Sequence, residues 1–162
     1  FHYKLYFTDY NELTMKKLLS LVSILTLLSF VPDWGYNLDE AKAKASKENK
    51  VILLNFSGSD WCGPCNKMRK EIFENEAFNK YASKNLILVN ADFPRLKKNQ
   101  LDQKQQAHNN IVAEKYNTKG AFPFTVLLDA SGNIIGQWDG YPKGTADDFI
   151  EQVKERIESS KQ

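Results

Sequence analysis

Four short segments of the chain are rich in apolar residues, and each is bounded by polar or turn-forming residues. Runs of this length, rich in Val, Ile, Leu and Phe, predict β-strands. Helical sequence separates the first runs, so we expect those strands to be joined by crossovers and to pair in parallel. The tight turn at 130–133 separates the last two, which predicts an antiparallel hairpin. The predicted strands are 51–56, 86–92, 124–129 and 134–138.

Polar segments that carry apolar residues at helical spacing flank these strands. Asn37 predicts the start of the first helix, because it is a good N-cap and acidic residues follow it. Thr145 predicts the start of the last helix, and Asp148 three residues on forms a weaker relative of the capping box. The buried stripe of that helix is expected to be Phe149, Ile150, Val153 and Ile157. The other predicted helices are 66–73, 76–84 and 100–116.

The first 36 residues differ from the rest of the chain. Met15-Lys16-Lys17 precedes an uncharged, mainly apolar run of 14 residues at 18–31. This run is shorter than the roughly 20 residues of a membrane span but fits a secretory signal peptide. A buried or amphipathic helix is the alternative. We expect 1–36 to be a leader, with upstream residues and a signal peptide from Met15, and 37–162 to be one domain.

The composition is that of an ordinary soluble globular protein, with 42% hydrophobic and 26% charged residues. The formal net charge is only +2, which gives no reason to expect nucleic-acid binding. Two cysteines cannot build a framework of several disulfides, so packing must hold the fold. No histidine lies near them, so a four-ligand zinc site is not expected.

The two cysteines, Cys62 and Cys65, stand where the strand at 51–56 gives way to a predicted helix. A thiolate at a helix N-terminus is stabilised by unpaired backbone N–H groups and by the helix dipole. Such a thiolate is a nucleophile at neutral pH, and a neighbouring thiol can resolve the mixed disulfide that it forms. The spacing therefore favours a redox pair over an inert buried one.

Three features resemble the thioredoxin superfamily: the motif Trp61-Cys62-Gly63-Pro64-Cys65, the segment Ala121-Phe122-Pro123 before a strand, and the closing hairpin and helix. The resemblance covers about residues 37–159. It implies an α/β, thioredoxin-like fold with a central mixed sheet of about four strands flanked by helices, an N-terminal extra helix and a helical insertion. Further motifs resemble exported bacterial thioredoxin-like disulfide reductases; they are 56–62, Lys67-Met68 and Asp92-Phe93-Pro94.

The resemblance assigns Cys62 as the attacking thiol and Cys65 as the thiol that resolves the mixed disulfide. Cys62 lies nearer the loop, so we expect it to be the more exposed of the two. Pro64 fits the first helical turn because it needs no N–H there. Gly63 leaves backbone room for an approaching sulfur. Trp61 has an apolar face that would cover the site, although core packing explains it equally well.

The resemblance also implies that the Phe122–Pro123 peptide bond is cis and faces the cysteines. A cis bond there exposes backbone groups of Phe122 that can pair with a substrate strand. On sequence alone only about 5–6% of X–Pro bonds in folded proteins are cis, so this expectation depends on the resemblance.

The chain departs from the thioredoxin pattern at residue 55. Thioredoxins usually place a buried Asp there as proton acceptor for the second cysteine, with a Lys partner on the next strand. Asn55 and Leu88 occupy the matching positions here, so a base is lost but no lone buried charge is left. Cys65 must then give its proton to water or to another acid. Asp60 and Glu71 are candidates, although both are more readily explained as solvated surface carboxylates.

Together these inferences predict an exported, periplasmic thiol–disulfide oxidoreductase of a bacterium that reduces protein disulfides. Its redox group is the Cys62–Cys65 disulfide itself, and no cofactor or metal is expected. The expected partners are disulfide-containing proteins and an upstream electron donor, which is a membrane thiol reductase or a small thiol. We expect a monomer that meets a membrane only if the leader is uncleaved.

Two other functions stay open. The same chemistry could run as a disulfide oxidase or isomerase, since the exported compartment favours disulfide formation. A non-enzymatic copper- or partner-binding module is the other alternative, motivated by the missing carboxylate and the long polar segment at 93–116. Met68 is the one additional copper ligand close to the cysteines in sequence.

Overall fold

The computed structural model describes residues 32–161. The signal peptide predicted from Met15, and residues 1–14 ahead of it, lie outside the described residues. Within 32–161, none of the helices combines the length and the apolar character that crossing a membrane requires.

A five-stranded mixed sheet forms the centre of the domain. Its strands are β1 (Trp34–Gly35), β2 (Val51–Ser57), β3 (Leu86–Asp92), β4 (Phe124–Leu128) and β5 (Ile134–Asp139). Their order across the sheet is β1-β3-β2-β4-β5. β3 pairs in parallel with β1 and β2, whereas β4 is antiparallel to β2 and β5. Four strands match the predicted bounds to within one residue, and β1 is an additional strand in a segment that the sequence analysis leaves in the leader.

Five α-helices flank the sheet: α1 (Leu38–Glu48), α2 (Gly63–Met68), α3 (Glu76–Asn85), α4 (Gln103–Tyr116) and α5 (Ala146–Ser159). α2 continues directly into a π-helical turn at Arg69–Phe73, and Lys97–Asn99 forms a 3₁₀ turn. The caps explain several of the boundaries. Asn37 accepts hydrogen bonds from backbone N–H groups in the first turn of α1, Asn75 does so for α3, and Thr145 forms a full capping box with Asp148.

The alternation of side chains along β2 separates two hydrophobic cores. Ile52, Leu54 and Phe56 face one side of the sheet, where α1 and α4 pack. Leu53 faces the other side and packs with residues of α2, of the π-helical turn, of α3 and of α5. The result is a three-layer α/β/α domain, which confirms the predicted fold class.

The strand directions bring three loops to one edge of the sheet. β2 and β3 are parallel and therefore end at the same edge, and β4 begins there because it is antiparallel to β2, with Phe124 opposite Phe56. The loops that leave or enter at this edge are 58–62, 93–99 and 121–123. They hold the cysteine motif, the start of the polar segment and Pro123.

Candidate active site

Cys62 and Cys65 form a disulfide at the N-terminus of α2. Cys62 is the N-cap residue, and the backbone N–H of Cys65 donates to its Sγ over 3.2 Å. The first N–H groups of a helix have no partner within the helix. A thiolate on Cys62 would accept one of them and would also lie at the positive end of the helix dipole. The structure thus provides an arrangement that favours a nucleophilic thiolate at this position.

Both cysteines are buried, with 4% of Cys62 and 6% of Cys65 exposed. The expectation that Cys62 is clearly the more exposed is therefore wrong for the disulfide form, in which each sulfur covers part of the other. Gly63 and Pro64, between them, are exposed. A Cβ at Gly63 would meet no atom within 4 Å, so the approach to the disulfide over this backbone is open.

The indole of Trp61 connects the motif to the two other loops. Its Nε1–H donates to the carbonyl of Phe93 over 2.7 Å. The ring also meets Phe122 edge-on at 5.3 Å between centroids, and the Arg95 guanidinium lies 3.7 Å from its centre. Trp61 is partly buried, so it both packs the loops together and presents a surface beside Cys62.

The Phe122–Pro123 peptide bond is cis, and Pro123 is buried. Phe122 packs between two aromatic rings, edge-on to Trp61 and to Phe93 at 5.5 Å. These contacts, with the antiparallel pairing of β4, place the loop at 121–123 beside the cysteine motif.

Asp60, a sequence candidate for the proton acceptor of Cys65, binds the loop at 93–99. Its carboxylate accepts the backbone N–H groups of Arg95 and Leu96, each at 2.9 Å, and the side-chain amide of Asn99 at 3.0 Å. These hydrogen bonds, chiefly the one from Arg95, lower the pKa of Asp60. Asp60 therefore fixes the loop at 93–99 to the motif, a role that sequence reasoning missed because the partners lie 35 to 39 residues away.

Glu71, the other sequence candidate, also has partners of its own. Its carboxylate accepts the hydroxyl of Tyr141 at 2.7 Å and lies 3.8 Å from the Lys67 ammonium. The hydrogen bond to this carboxylate raises the pKa of Tyr141. Both sequence candidates for the proton acceptor thus have other partners.

A cavity of about 260 Å³ lies behind the disulfide, and Cys65 forms part of its wall. Other parts of the wall are polar side chains at the ends of β2 and β3, together with aromatic rings: Asn55, Ser57, Asn90, Trp34 and Tyr36. Among the described residues that line the cavity, Glu74 is the only acid, and it pairs with Arg69 at 2.7 Å. Arg69 and Glu74 are five residues apart, and the π-helical turn between them brings the two side chains together. In a regular α-helix, side chains meet at a spacing of three or four residues instead.

Asn55 is buried, and both the nitrogen and the oxygen of its amide have a hydrogen-bond partner within the sheet. Its amide donates to Asn90 Oδ1 over 2.9 Å, and its oxygen accepts the hydroxyl of Thr125 over 3.2 Å. Both partners lie directly opposite Asn55 on the neighbouring strands. Leu88, at the other departure from the thioredoxin pattern, is buried in the core.

A family model described as a thioredoxin-like domain matches residues 38–156. The chain belongs to this thioredoxin-like family. It is 32% identical over 118 residues to the disulfide bond reductase DsbH of Chlamydia pneumoniae, covering 73% of this chain and 69% of the relative. It is also 33% identical over 126 residues to the thioredoxin-related protein DsbJ of the same organism, covering 78% of this chain but only 35% of the relative's length.

The solved structures agree with this assignment. A structure of the DsbH oxidoreductase has a TM-score of 0.71 at 30% identity, over 78% of this chain and 85% of that one. A thioredoxin from Thermus thermophilus shares the fold, with a TM-score of 0.56 at 15% identity over 77% and 86% of the two chains. The thioredoxin-like domain described here, with its cysteine pair in a disulfide, is a thiol–disulfide oxidoreductase.

The contacts of Gly58 provide a first test of the site. A Cβ at Gly58 would overlap the indole of Trp61, whereas one at Gly63 would meet open space. We expect Gly58→Ala to displace the indole, change the near-ultraviolet circular dichroism and lower the free energy of unfolding by about 1–3 kcal/mol. The matched change Gly63→Ala should leave that spectrum unchanged and alter stability by less than about 1 kcal/mol. Equal effects of the two changes would contradict this account of Trp61.

The environment of Asn55 predicts a pH-dependent cost for a carboxylate in its place. Burial would raise the pKa of the new group in Asn55→Asp above the unfolded value of about 3.9. Below that value both states are protonated; at higher pH the unfolded state ionises more readily, so stability is lost. We expect the unfolding free energy of Asn55→Asp, relative to the parent, to fall from about pH 4 to about pH 8 in urea titrations.

The control for this measurement is Asn110→Asp on the exposed face of α4. A solvated carboxylate keeps nearly the same pKa in both states, so its stability difference from the parent should not grow over the same pH range. If the difference in unfolding free energy between Asn55→Asp and the parent does not change with pH, burial at residue 55 does not raise the pKa of a carboxylate there, and our inference is wrong.

Proposed function

We propose that this protein is an exported reductase of protein disulfides. The observation that carries the proposal is the Cys62–Cys65 disulfide at the start of α2, with only Gly63 and Pro64 between the sulfurs. Neither intervening residue adds a charge or a donor side chain, so helix N–H groups supply most of the thiolate stabilisation. A reduced form that is stabilised less gives up its electrons more readily, which favours the direction of a reductase. The similarity to a disulfide bond reductase supports the same direction.

The proposed reaction has two exchange steps. The thiolate of Cys62 attacks one sulfur of the substrate disulfide, forms a mixed disulfide and releases the other sulfur as a thiolate. Cys65, as its thiolate, then attacks Sγ of Cys62 and releases the second substrate thiol. Two electrons pass to the substrate, and Cys62–Cys65 becomes the disulfide that the structure contains. A donor dithiol or small thiols must reduce it again, and no further cofactor takes part in this proposal.

Cys65 must lose a proton before the second step. With Asn55 in place of a carboxylate, we assign the removal of that proton to solvent entering the cavity behind the disulfide. Cys65, Asn55 and Glu74 all line this cavity. Glu74 stands at the wall of the same cavity, where it pairs with Arg69 at 2.7 Å.

The proposed partners follow from this chemistry. Disulfide-containing proteins are the substrates, and a membrane thiol reductase or a small thiol is the electron donor. Export to a bacterial periplasm is supported by the apolar segment after Met15 and by similarity to Dsb proteins, which are typically periplasmic. A copper-binding role finds less support, because Met68, the candidate additional ligand, is 1% exposed and packs in the core.

The roles of the two cysteines can be tested by insulin reduction with a chemical reductant. Cys62→Ser removes the attacking sulfur and should reduce the catalysed rate to the background. Cys65→Ser leaves the attack intact but blocks resolution, so a mixed disulfide with substrate should accumulate and appear in non-reducing electrophoresis. Insulin reduction by Cys62→Ser at the parental rate would overturn the assignment.

The direction of electron flow can be tested by equilibrating the protein with thiol redox buffers. We expect a potential near the value of thioredoxin, about −270 mV, at which electrons pass from this protein to most substrate disulfides. A potential near that of DsbA, about −120 mV, would instead make it an oxidase that accepts electrons from substrate thiols.

A further inference from the structure

A short cationic segment lies beside the redox site. Arg95-Leu96-Lys97-Lys98, here called the basic loop, carries three positive charges in four exposed residues. Leu96 has 49% of its surface exposed, which places an apolar group among the charges. Within residues 32–161, none of the three cations takes part in a salt bridge.

The basic loop is held in place by hydrogen bonds. Asp60, two residues before Cys62, binds the backbone N–H groups of Arg95 and Leu96 and the side chain of Asn99. Just before the basic loop, the carbonyl of Phe93 accepts the Trp61 indole N–H. Just after it, the Gln100 amide donates to the carbonyl of Pro94 over 3.1 Å, which joins the two flanks of the loop. The cations are therefore carried by a fixed backbone.

The fixed position is adjacent to the attacking cysteine. The Arg95 guanidinium stacks on the ring of Trp61, the residue that precedes Cys62. Asp60 and Asp92 are acidic groups that bind this region, and the exposed Asp102 follows the basic loop as the N-cap of α4, where it accepts the backbone N–H of Gln105. The carboxylate of Asp60 faces three N–H donors, and that of Asp92 faces the backbone N–H and hydroxyl of Ser59 and the hydroxyl of Ser57. Asp60 and Asp92 thus bind donors within the loops around the motif, whereas the three cations of the basic loop are exposed and form no salt bridge among the described residues.

We propose that the basic loop docks an acidic segment, containing an apolar side chain for Leu96, that flanks the disulfide of the protein substrate. This proposal rests on the proposed function, because it concerns which disulfides meet Cys62. Complementary surface charges mainly raise the association rate, and salt screens them. The basic loop therefore selects substrates by how fast they reach the cysteine, while the exchange chemistry stays the same.

The test uses three cyclic peptides, each closed by one disulfide and identical except for two residues flanking a cysteine. Those residues are Asp-Asp, Lys-Lys or Ser-Ser. The reduced full chain is mixed with each peptide, and the rate of oxidation is followed by tryptophan fluorescence. Measurements are made at about 0.01 M salt, where charges act over about 30 Å, and at about 1 M, where the range is about 3 Å.

We expect the acidic peptide to react faster than the basic one by on the order of tenfold at low salt, and the ratio to approach one at high salt. Lys97→Glu with Lys98→Glu should abolish or invert the ratio. The matched control is Lys47→Glu with Lys84→Glu, which makes the same change in net charge. Lys47 and Lys84 lie in the last turns of α1 and α3, next to the starts of β2 and β3 and away from the site, so the ratio should persist.

Equal rates for the acidic and basic peptides at low salt would overturn the proposal. Loss of the ratio in the control variant would also overturn it, since net charge alone would then explain the preference. If the parent protein oxidises with none of the peptides, including the Ser-Ser peptide, the proposed function itself fails and the docking proposal falls with it. Circular dichroism of both double variants checks that each is folded.

Discussion

Hydrogen bonding of β2 along both of its edges is the constraint on which the redox site depends. Because β3 is parallel to β2 and β4 is antiparallel, the end of β2, the end of β3 and the start of β4 share one edge of the sheet. The motif, the loop at 93–99 and the Phe122–Pro123 segment therefore converge, although about 60 residues separate the first from the last in sequence. Strand pairing is sufficient to bring these segments together, and the Cys62–Cys65 disulfide is not needed for it.

The same pairing creates a neutral polar centre where thioredoxins usually carry a carboxylate. Asn55 lies between Asn90 and Thr125 in register, and each end of its amide has a partner. In the described part of the chain, every buried side-chain nitrogen and oxygen has a hydrogen-bond partner. A satisfied amide avoids both the desolvation cost of a buried charge and its coupling to pH. In the proposed reaction, solvent in the cavity that Cys65 lines then takes the place of a buried carboxylate as proton acceptor.

Most strands and helix starts could be predicted from the sequence. A two-residue strand and the hydrogen bonds between residues distant in sequence could not. Apolar runs located β2, β3 and β4, the tight turn at 130–133 located β5 as a hairpin partner, and the cap residues located the starts of α1 and α5. β1 could not be predicted, because two residues carry no alternation and Trp34 is positioned by pairing with β3. The cysteine pair was recognisable from local spacing. The role of Asp60 was not, since its hydrogen-bond partners become neighbours only after the sheet has formed.

Chemistry and recognition lie on different elements of this site. The sulfurs are fixed by the start of α2, whose geometry follows from the local sequence and from the helix N–H groups. The surfaces beside them belong to two loops that meet on the ring of Trp61: one contributes Phe122 and the other contributes Phe93 and Arg95. A substitution in either loop can therefore alter the surface that a partner meets without moving the disulfide. A thioredoxin-like domain can in this way keep one exchange reaction and acquire a charge preference of its own.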